Sequence, residues 1–142
     1  MKSDSKPDGR LTIGTLASAC GVGIGTVRHY QKLGLLPLPA KPRHGGFRVY
    51  GECDLERLRQ IRNAQAYGFT LKQISQIFSC RDKDDCTSVV ELISKRDEEI
   101  QDQIVSLKAS RKGLAALASC CDGKCSNGKC PLFEKLGKPI RT

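Results

Sequence analysis

The longest regular pattern in the chain is a seven-residue repeat of apolar side chains, which constrains the fold more than any other feature. Four residues form the repeat and others widen its stripe: Ile93, Ile100, Leu107 and Leu114, then Val90, Ile104, Leu117 and Ala118. A repeat of this kind predicts a coiled-coil helix over about residues 88–119. Ser88 and Glu91 have the spacing of a capping box, which places the start of the helix at Ser88.

A single helix of this length needs a partner to bury its apolar stripe. The chain has 142 residues, of which 39% are hydrophobic and only 5% aromatic, so the rest of the molecule offers a small core. We therefore expect a homodimer in which the long helix packs against its twin. Asp97 and Arg111 interrupt the second row of apolar positions that widens the stripe. The repeat alone therefore does not decide whether the two helices pair in parallel or antiparallel.

Residues 11–80 have the pattern of a winged helix-turn-helix domain, preceded by a polar, disordered tail over residues 1–10. Thr12 can cap a short helix, and a glycine-containing turn separates this helix from a second one over about residues 24–33. Residues 43–50 then predict a tight hairpin, the wing, with Gly45 and Gly46 at its turn. Two further helices are expected over residues 52–67 and from Thr70 to about Phe78, the second opened by a capping box.

Positive charge is concentrated in this first half of the chain. Before Cys80 there are 12 Lys and Arg against 5 Asp and Glu, a net charge of +7, whereas the remainder carries +2. This asymmetry is typical of a module that binds phosphates, and we expect double-stranded DNA as the partner. The candidate DNA-contacting residues lie on the second helix and the wing: Thr26, Arg28, His29, Tyr30 and Lys32, then Arg43, Arg48 and Tyr50.

The chain contains eight cysteines, four of them within residues 120–130. No signal-peptide pattern follows Met1 and no apolar run reaches transmembrane length, so we expect a cytoplasmic protein with reduced thiols. Clustered cysteines then favour metal ligation or redox sensing over structural disulfides. Residues 120–142 are predicted to form a loop with a short terminal helix. Because glycine and asparagine allow tight turns in this loop, its thiolates can converge on one soft cation.

Cys86 stands before the long helix, where a helix N-terminus favours the thiolate that binds metal. A helix of this length separates Cys86 from the loop by roughly 45 Å. Both can hold one ion only if two helices run antiparallel, with Cys86 of one subunit at the loop of the other. Cys80 either lies near such a site or only ends the fourth helix, and Cys20 and Cys53 are expected to be packing or surface residues.

Taken in order, these segments resemble the MerR family of bacterial metal-responsive regulators over nearly the whole chain. Five strings carry the resemblance: Leu11-Thr12-Ile13-Gly14, Thr26-Val27-Arg28-His29-Tyr30-Gln31, Gly34-Leu35-Leu36, Gly46-Phe47-Arg48-Val49-Tyr50-Gly51 and Gly68-Phe69-Thr70-Leu71. The resemblance implies a mainly α fold with an N-terminal winged helix-turn-helix domain, a long antiparallel coiled-coil dimerisation helix and a C-terminal Cys-rich metal-binding loop. It also implies operator binding between promoter elements, and activation of RNA polymerase by DNA distortion.

The same resemblance implies the effector. Cys86 marks the divalent branch, and Cys86, Cys121 and Cys130 have the spacing of the three thiolates of mercury-sensing members. The Cys120-Cys121 doublet and Cys125 instead resemble the pattern of zinc-, cadmium- and lead-sensing members. Hg(II) is favoured, and Zn(II), Cd(II) and Pb(II) remain alternatives. A thiol redox sensor on the same fold is a further alternative. An enzyme is not expected, because the sequence has no nucleophile–base constellation and no phosphate-binding glycine loop.

Overall fold

The computed structural model describes residues 10–83, 85–121, 123 and 130–138 of the chain. Six helices account for the regular structure of these residues: α1 (Ile13–Ala19), α2 (Ile24–Lys32), α3 (Glu52–Ala66), α4 (Leu71–Cys80), α5 (Thr87–Cys120) and α6 (Pro131–Leu136). The chain divides into two compact units, residues 1–90 and residues 91–142. Residues 1–9 of the disordered tail predicted over residues 1–10 lie outside the described residues, as does Cys125.

The helix-turn-helix prediction is confirmed by α1 and α2. The Thr12 side chain accepts a hydrogen bond from the Thr15 amide at 3.2 Å, and the Thr15 hydroxyl accepts one from the Thr12 amide at 2.8 Å. These bonds satisfy donors that an unaided helix start would leave unpaired. Gly21 (φ 63°) lies in the turn and Gly34 (φ 72°) follows α2, both with the left-handed backbone that glycine adopts without strain.

The predicted wing hairpin over residues 43–50 is wrong as regards strand pairing. Gly45 and Gly46 do form a turn with positive φ, but no strand ladder is present among the described residues. Instead, Tyr50 forms an isolated antiparallel bridge with Leu11, with both N···O distances below 3 Å (2.8 and 2.7 Å). The arm before the turn is rich in proline, which lacks an amide donor, and this explains why no ladder forms. The wing is therefore a loop.

The core of the first unit lies where α1–α4 meet. Its buried residues come from each of these helices and from the segments on either side of the wing: Leu16, Ala17, Val27, Tyr30, Leu35, Leu36, Tyr50, Leu55, Leu58, Ile61 and Ile74. Phe69, Leu71 and Phe78 are half-buried and pack against this core. The wing thus starts and ends on buried residues, which positions it beside α2.

Helix α4 begins with the predicted capping box. The Thr70 side chain accepts from the Gln73 amide at 3.3 Å, and the Gln73 side chain accepts from the Thr70 amide at 2.9 Å. The helix continues to Cys80, two residues beyond the predicted end at Phe78. Gly68, with φ 90°, provides the turn between α3 and α4.

Thr70→Ala is expected to destabilise the protein by about 1 kcal/mol, because the Gln73 amide loses its acceptor. The change is measured as the difference in unfolding free energy from urea titration. Ser75→Ala, on the exposed part of the same helix, is the matched control and should have an effect below about 0.5 kcal/mol. Equal effects of the two substitutions would show that the capping bonds contribute nothing.

Helix α5 confirms the long-helix prediction, with small changes at both ends. It starts at Thr87 rather than Ser88, because the Asp85 carboxylate accepts from the Thr87 amide at 3.0 Å and from its hydroxyl at 2.7 Å. These two hydrogen bonds lower the pKa of Asp85. The helix ends at Cys120, and its apolar stripe is largely exposed within one chain, with Leu107 and Leu114 69% and 66% exposed.

Helix α6 starts with Pro131, a residue suited to the first turn of a helix because it needs no amide partner there. Cys130 is its N-cap residue, and the helix is the short terminal helix expected within residues 120–142. The Lys135 ammonium donates to the Ala116 carbonyl at 3.2 Å, which ties α6 to the end of α5. None of the helices described is long and apolar enough to cross a membrane.

Candidate DNA-binding groove and cysteine sites

A basic groove of about 500 Å³ lies between α2 and the wing. Four of its lining side chains are cations, and most of the others are apolar: Arg28, Lys32, Lys41 and Arg48, with Thr12, Ile13, Gln31, Leu38, Gly46, Phe47 and Tyr50. Helical spacing puts Arg28 and Lys32 on the same face of α2, because residues four apart are neighbours on a helix surface. The groove therefore concentrates positive charge on one concave surface.

Gln31 holds the wing against α2, and Arg48 joins the two arms of the wing. The Gln31 amide donates to the Tyr50 hydroxyl at 2.9 Å and to the Pro37 carbonyl at 3.2 Å. The Arg48 guanidinium, after the glycine turn, donates to the carbonyl of Pro39, before the turn. Gln31 was not among the predicted site residues, and its role follows from its position facing the wing, which the sequence pattern alone does not show.

Two of the predicted DNA contacts, Tyr30 and Tyr50, are buried in the core, although Tyr50 also lines the groove. Tyr30 and Tyr50 are 2% and 1% exposed, so their rings belong to the core and offer almost no surface to a ligand. The Tyr30 hydroxyl donates to the Gln65 side chain at 2.8 Å, and the Tyr50 hydroxyl accepts from Gln31. A tyrosine can be buried in this way because its ring is apolar and its hydroxyl finds a polar partner.

The other predicted DNA contacts lie on the surface or close to it. Arg28 and Lys32 are exposed and line the groove with the half-buried Arg48. His29 and Arg43 are exposed and Thr26 is half-buried, but none of the three lines the groove. Lys41 lines it although it was not predicted, and its position next to a proline of the wing arm gave no helical or strand pattern to identify it.

Arg57 on α3 is a structural residue. Its guanidinium stacks on the Phe78 ring at 3.3 Å from the centroid and donates to the Leu35 carbonyl at 3.0 Å. Burial lowers the pKa of Arg57, nearby Arg81 lowers it further, and Asp82 acts in the opposite direction. The side chain therefore joins α3, α4 and the segment after α2.

The cysteines fall into separate groups. Cys20, the C-cap of α1, packs partly against the core, and Cys53 is exposed on α3, as the sequence predicts for packing and surface residues. Cys120 is half-buried at the end of α5, Cys121 follows it and is exposed, and Cys130 is half-buried at the start of α6. Within the described part of this single chain, no three His, Cys, Asp or Glu side chains come together as metal ligands.

Cys86 lies at the N-terminus of α5, as predicted, but it is not a free thiol. It forms a disulfide with Cys80, whose Cα lies 5.4 Å away. The expectation that all thiols are reduced is thus wrong for this pair, because the end of α4 and the start of α5 bring two cysteines face to face. A separation of six residues gave no signal for this in the sequence.

Comparisons with known proteins give consistent results. Two family models match, MerR HTH family regulatory protein over residues 11–80 and MerR, DNA binding over residues 55–117. The mercuric resistance operon regulatory protein of Serratia marcescens is 36% identical over 126 residues, covering 89% of this chain and 87% of the relative.

Two solved structures are similar over most of the chain. The lead(II) complex of a transcription regulator from Ralstonia metallidurans has a TM-score of 0.70 and 32% identity, covering 89% of this chain and 98% of that one. The mercury(II) complex of the MerR regulator of Bacillus megaterium has a TM-score of 0.61 and 32% identity, covering 90% and 100%.

The helix-turn-helix fold and its basic groove define a DNA-binding transcriptional regulator. The chain belongs to the MerR family of such regulators, as the two family models and the relative of 36% identity show. This confirms the resemblance carried by the sequence motifs. The family is one of DNA-binding regulators of transcription.

Proposed function

We propose that the protein is a cytoplasmic, homodimeric regulator that activates a resistance promoter when it binds a divalent thiophilic metal ion, with Hg(II) favoured. The observation that carries the proposal is the position of its cysteines at both ends of one long helix, Cys86 before α5 and Cys121 after it. Mercury- and lead-bound relatives with the same fold support the effector class.

Dimerisation is supported by the surface of α5. The repeat residues Ile93, Leu107 and Leu114 are each at least half exposed in the single chain. Apolar side chains at heptad spacing along 34 helical residues are stabilised when a second helix covers them. An antiparallel pair of α5 helices is the arrangement that brings opposite ends together.

The proposed metal ligands are Cys121 and Cys130 of one subunit and Cys86 of the partner subunit. Thirty-four residues make a helix about 50 Å long, so Cys86 and Cys121 of one chain stand too far apart to share an ion. Cys86 must be reduced for this role, because metal ligation needs the thiolate. Cys80, Cys120 and Cys125 are candidates for additional ligands.

The donor set fits a soft cation. Three thiolates suit Hg(II), whereas Zn(II) prefers four ligands in a tetrahedral site. A set enlarged by Cys120 or Cys125 would suit Zn(II), Cd(II) or Pb(II), the alternative effectors. When bound, the ion supplies a cross-link between the two subunits.

The proposed coupling to transcription runs through the dimer. Cations of the groove bind operator phosphates and position α2 in the DNA, with RNA polymerase at the same promoter. Closure of the shared cysteine site favours one arrangement of the two DNA-binding units, which bend and untwist the spacer between the promoter elements. Metal binding can shift the dimer toward this arrangement only if the metal binds more tightly to the dimer in this arrangement than to the dimer in the alternative one.

The test is transcription in vitro from a promoter fragment selected by the protein from genomic DNA. With RNA polymerase and reduced protein, transcript should rise on addition of Hg(II), and at lower free-ion concentration than with Cd(II), Pb(II) or Zn(II). A response to Zn(II) alone would identify Zn(II) rather than Hg(II) as the effector. No response to any of the four ions would refute metal regulation.

Lys32→Ala is expected to weaken DNA binding and to reduce the slope of log K against log salt concentration by about 0.9, since one phosphate contact releases about one counterion. Binding to a mixed-sequence duplex is measured at several salt concentrations. Lys72→Ala, an exposed lysine on α4 outside the groove, should leave the slope unchanged. Equal slopes for all three proteins would exclude Lys32 from the DNA contact.

A further inference from the structure

The disulfide between Cys80 and Cys86 joins two consecutive helices. Cys80 is the last residue of α4, and Cys86 directly precedes α5. Their Cα atoms are 5.4 Å apart, within the range of about 4.4–6.8 Å that disulfides require. The bond therefore forms between these two cysteines in the folded backbone.

Local hydrogen bonds shape the short connection between the two cysteines. The Lys83 amide donates to the Cys80 carbonyl at 3.1 Å, which closes a turn directly after α4. The Thr87 amide donates to the Asp85 carboxylate at 3.0 Å, which fixes the start of α5. Both ends of the connection are thus held, and the backbone presents the two cysteines to each other.

The two cysteines differ in accessibility. Cys80 is 6% exposed, whereas Cys86 is exposed to solvent. The Cys86 carbonyl accepts from the Val89 and Val90 amides at 3.0 Å, so Cys86 lies at the open N-terminal end of α5. Cys86 is therefore the cysteine accessible to an oxidant in solution, and Cys80 is the buried cysteine next to it.

We propose that Cys80 is the resolving cysteine of a reversible oxidation site, and that its disulfide with Cys86 withdraws Cys86 from metal ligation. The inference rests on the proposed function, in which Cys86 is a ligand to the shared ion. A sulfur in a disulfide is not a thiolate and cannot serve as that ligand. Oxidation thereby makes the regulator unresponsive to metal, and reduction restores it.

The chemistry needs a two-electron oxidant, for which a peroxide is the class we name. The Cys86 thiolate attacks one peroxide oxygen, the O–O bond breaks, and Cys86 becomes a sulfenic acid; the hydroxide that leaves takes up the proton lost by the Cys86 thiol and becomes the first water. The Cys80 sulfur then attacks the Cys86 sulfur, the S–O bond breaks, and a second water leaves with the Cys80 proton. The two thiols lose two electrons, and hydrogen peroxide gains them.

The test uses the full-length protein, reduced and freed of reductant, then treated with one equivalent of hydrogen peroxide per chain. Trypsin can cleave after Arg81 and Lys83, so a peptide map shows whether the Cys80 and Cys86 peptides are linked. Hg(II) retention is measured by dialysis against iodide, a competing ligand that is not a thiol. Cys80→Ala is the variant, Cys53→Ser the matched control, and reduced Cys86→Ser the reference without the ligand.

Peroxide should link the two peptides and lower Hg(II) retention of the wild-type and Cys53→Ser proteins to that of reduced Cys86→Ser, reversibly with dithiothreitol. Cys80→Ala should instead keep the Cys86 sulfenic acid, which dimedone traps on the Cys86 peptide and which the wild-type protein does not retain. Unlinked peptides in the wild-type protein, or a dimedone adduct of Cys86 equally abundant in the wild-type and Cys80→Ala proteins, would overturn the proposal. If the reduced wild-type protein retains no more Hg(II) than Cys86→Ser, Cys86 is not a metal ligand. The proposed metal site and its control by oxidation are then both refuted, even where linked peptides are found.

Discussion

Replacement of Cys86 by serine is expected to abolish metal-dependent transcription while leaving DNA binding intact. Serine preserves the size of the side chain, but its hydroxyl is a poor ligand for a soft cation. The substitution lies at the start of α5 and outside the groove between α2 and the wing. The measurements are transcript level with and without Hg(II), and the dissociation constant of the metal-free protein for its promoter fragment.

Cys53→Ser is the control for this experiment, because Cys53 is an exposed thiol on α3 with no predicted role in metal binding. It should respond to metal like the wild-type protein. Full induction of Cys86→Ser would remove Cys86 from the ligand set. Loss of DNA binding in Cys86→Ser would instead indicate that the residue has a structural role in the first unit.

Leu58→Ala is expected to destabilise the protein by about 2–5 kcal/mol, because it removes a fully buried side chain from the core and leaves a cavity. Leu58 lies on α3, at the centre of the core shared by the helix-turn-helix and α4. Stabilities of whole domains are only about 5–15 kcal/mol, so the loss is a large share of the total. Urea unfolding followed by circular dichroism measures it.

Leu33→Ala is the matched control, since Leu33 is 49% exposed at the end of α2. Its cost should be below about 1 kcal/mol, because much of its surface stays in water in the folded state. A Leu58→Ala protein as stable as Leu33→Ala would show that the packing described for the core is wrong.

Elements with strong local signals were predictable from the sequence. Thr12 and Thr70 are caps whose hydrogen bonds depend on nearby residues only, so the helices they open start where expected. The heptad repeat likewise gave α5 to within one residue at each end. Local chemistry determines such features, and a single sequence contains it.

Features that depend on tertiary contacts were less accessible. Tyr30 and Tyr50 have polar hydroxyls, and only the folded structure shows that Gln65 and Gln31 satisfy them inside the domain. The wing has a glycine turn, but the preceding prolines lack the amide donors that strand pairing would need. The Cys80–Cys86 disulfide required knowledge of how closely two helix ends approach.

A mixed dimer gives the most direct test of the shared metal site. Cys86→Ser chains are combined with Cys121→Ser/Cys130→Ser chains by co-expression with two affinity tags, and Hg(II) per reduced dimer is measured against iodide. One intact site remains, formed by Cys121 and Cys130 of the first chain and Cys86 of the partner subunit, so the mixed dimer should bind one ion and each variant homodimer none. A mixed dimer that binds none would contradict a site shared between subunits.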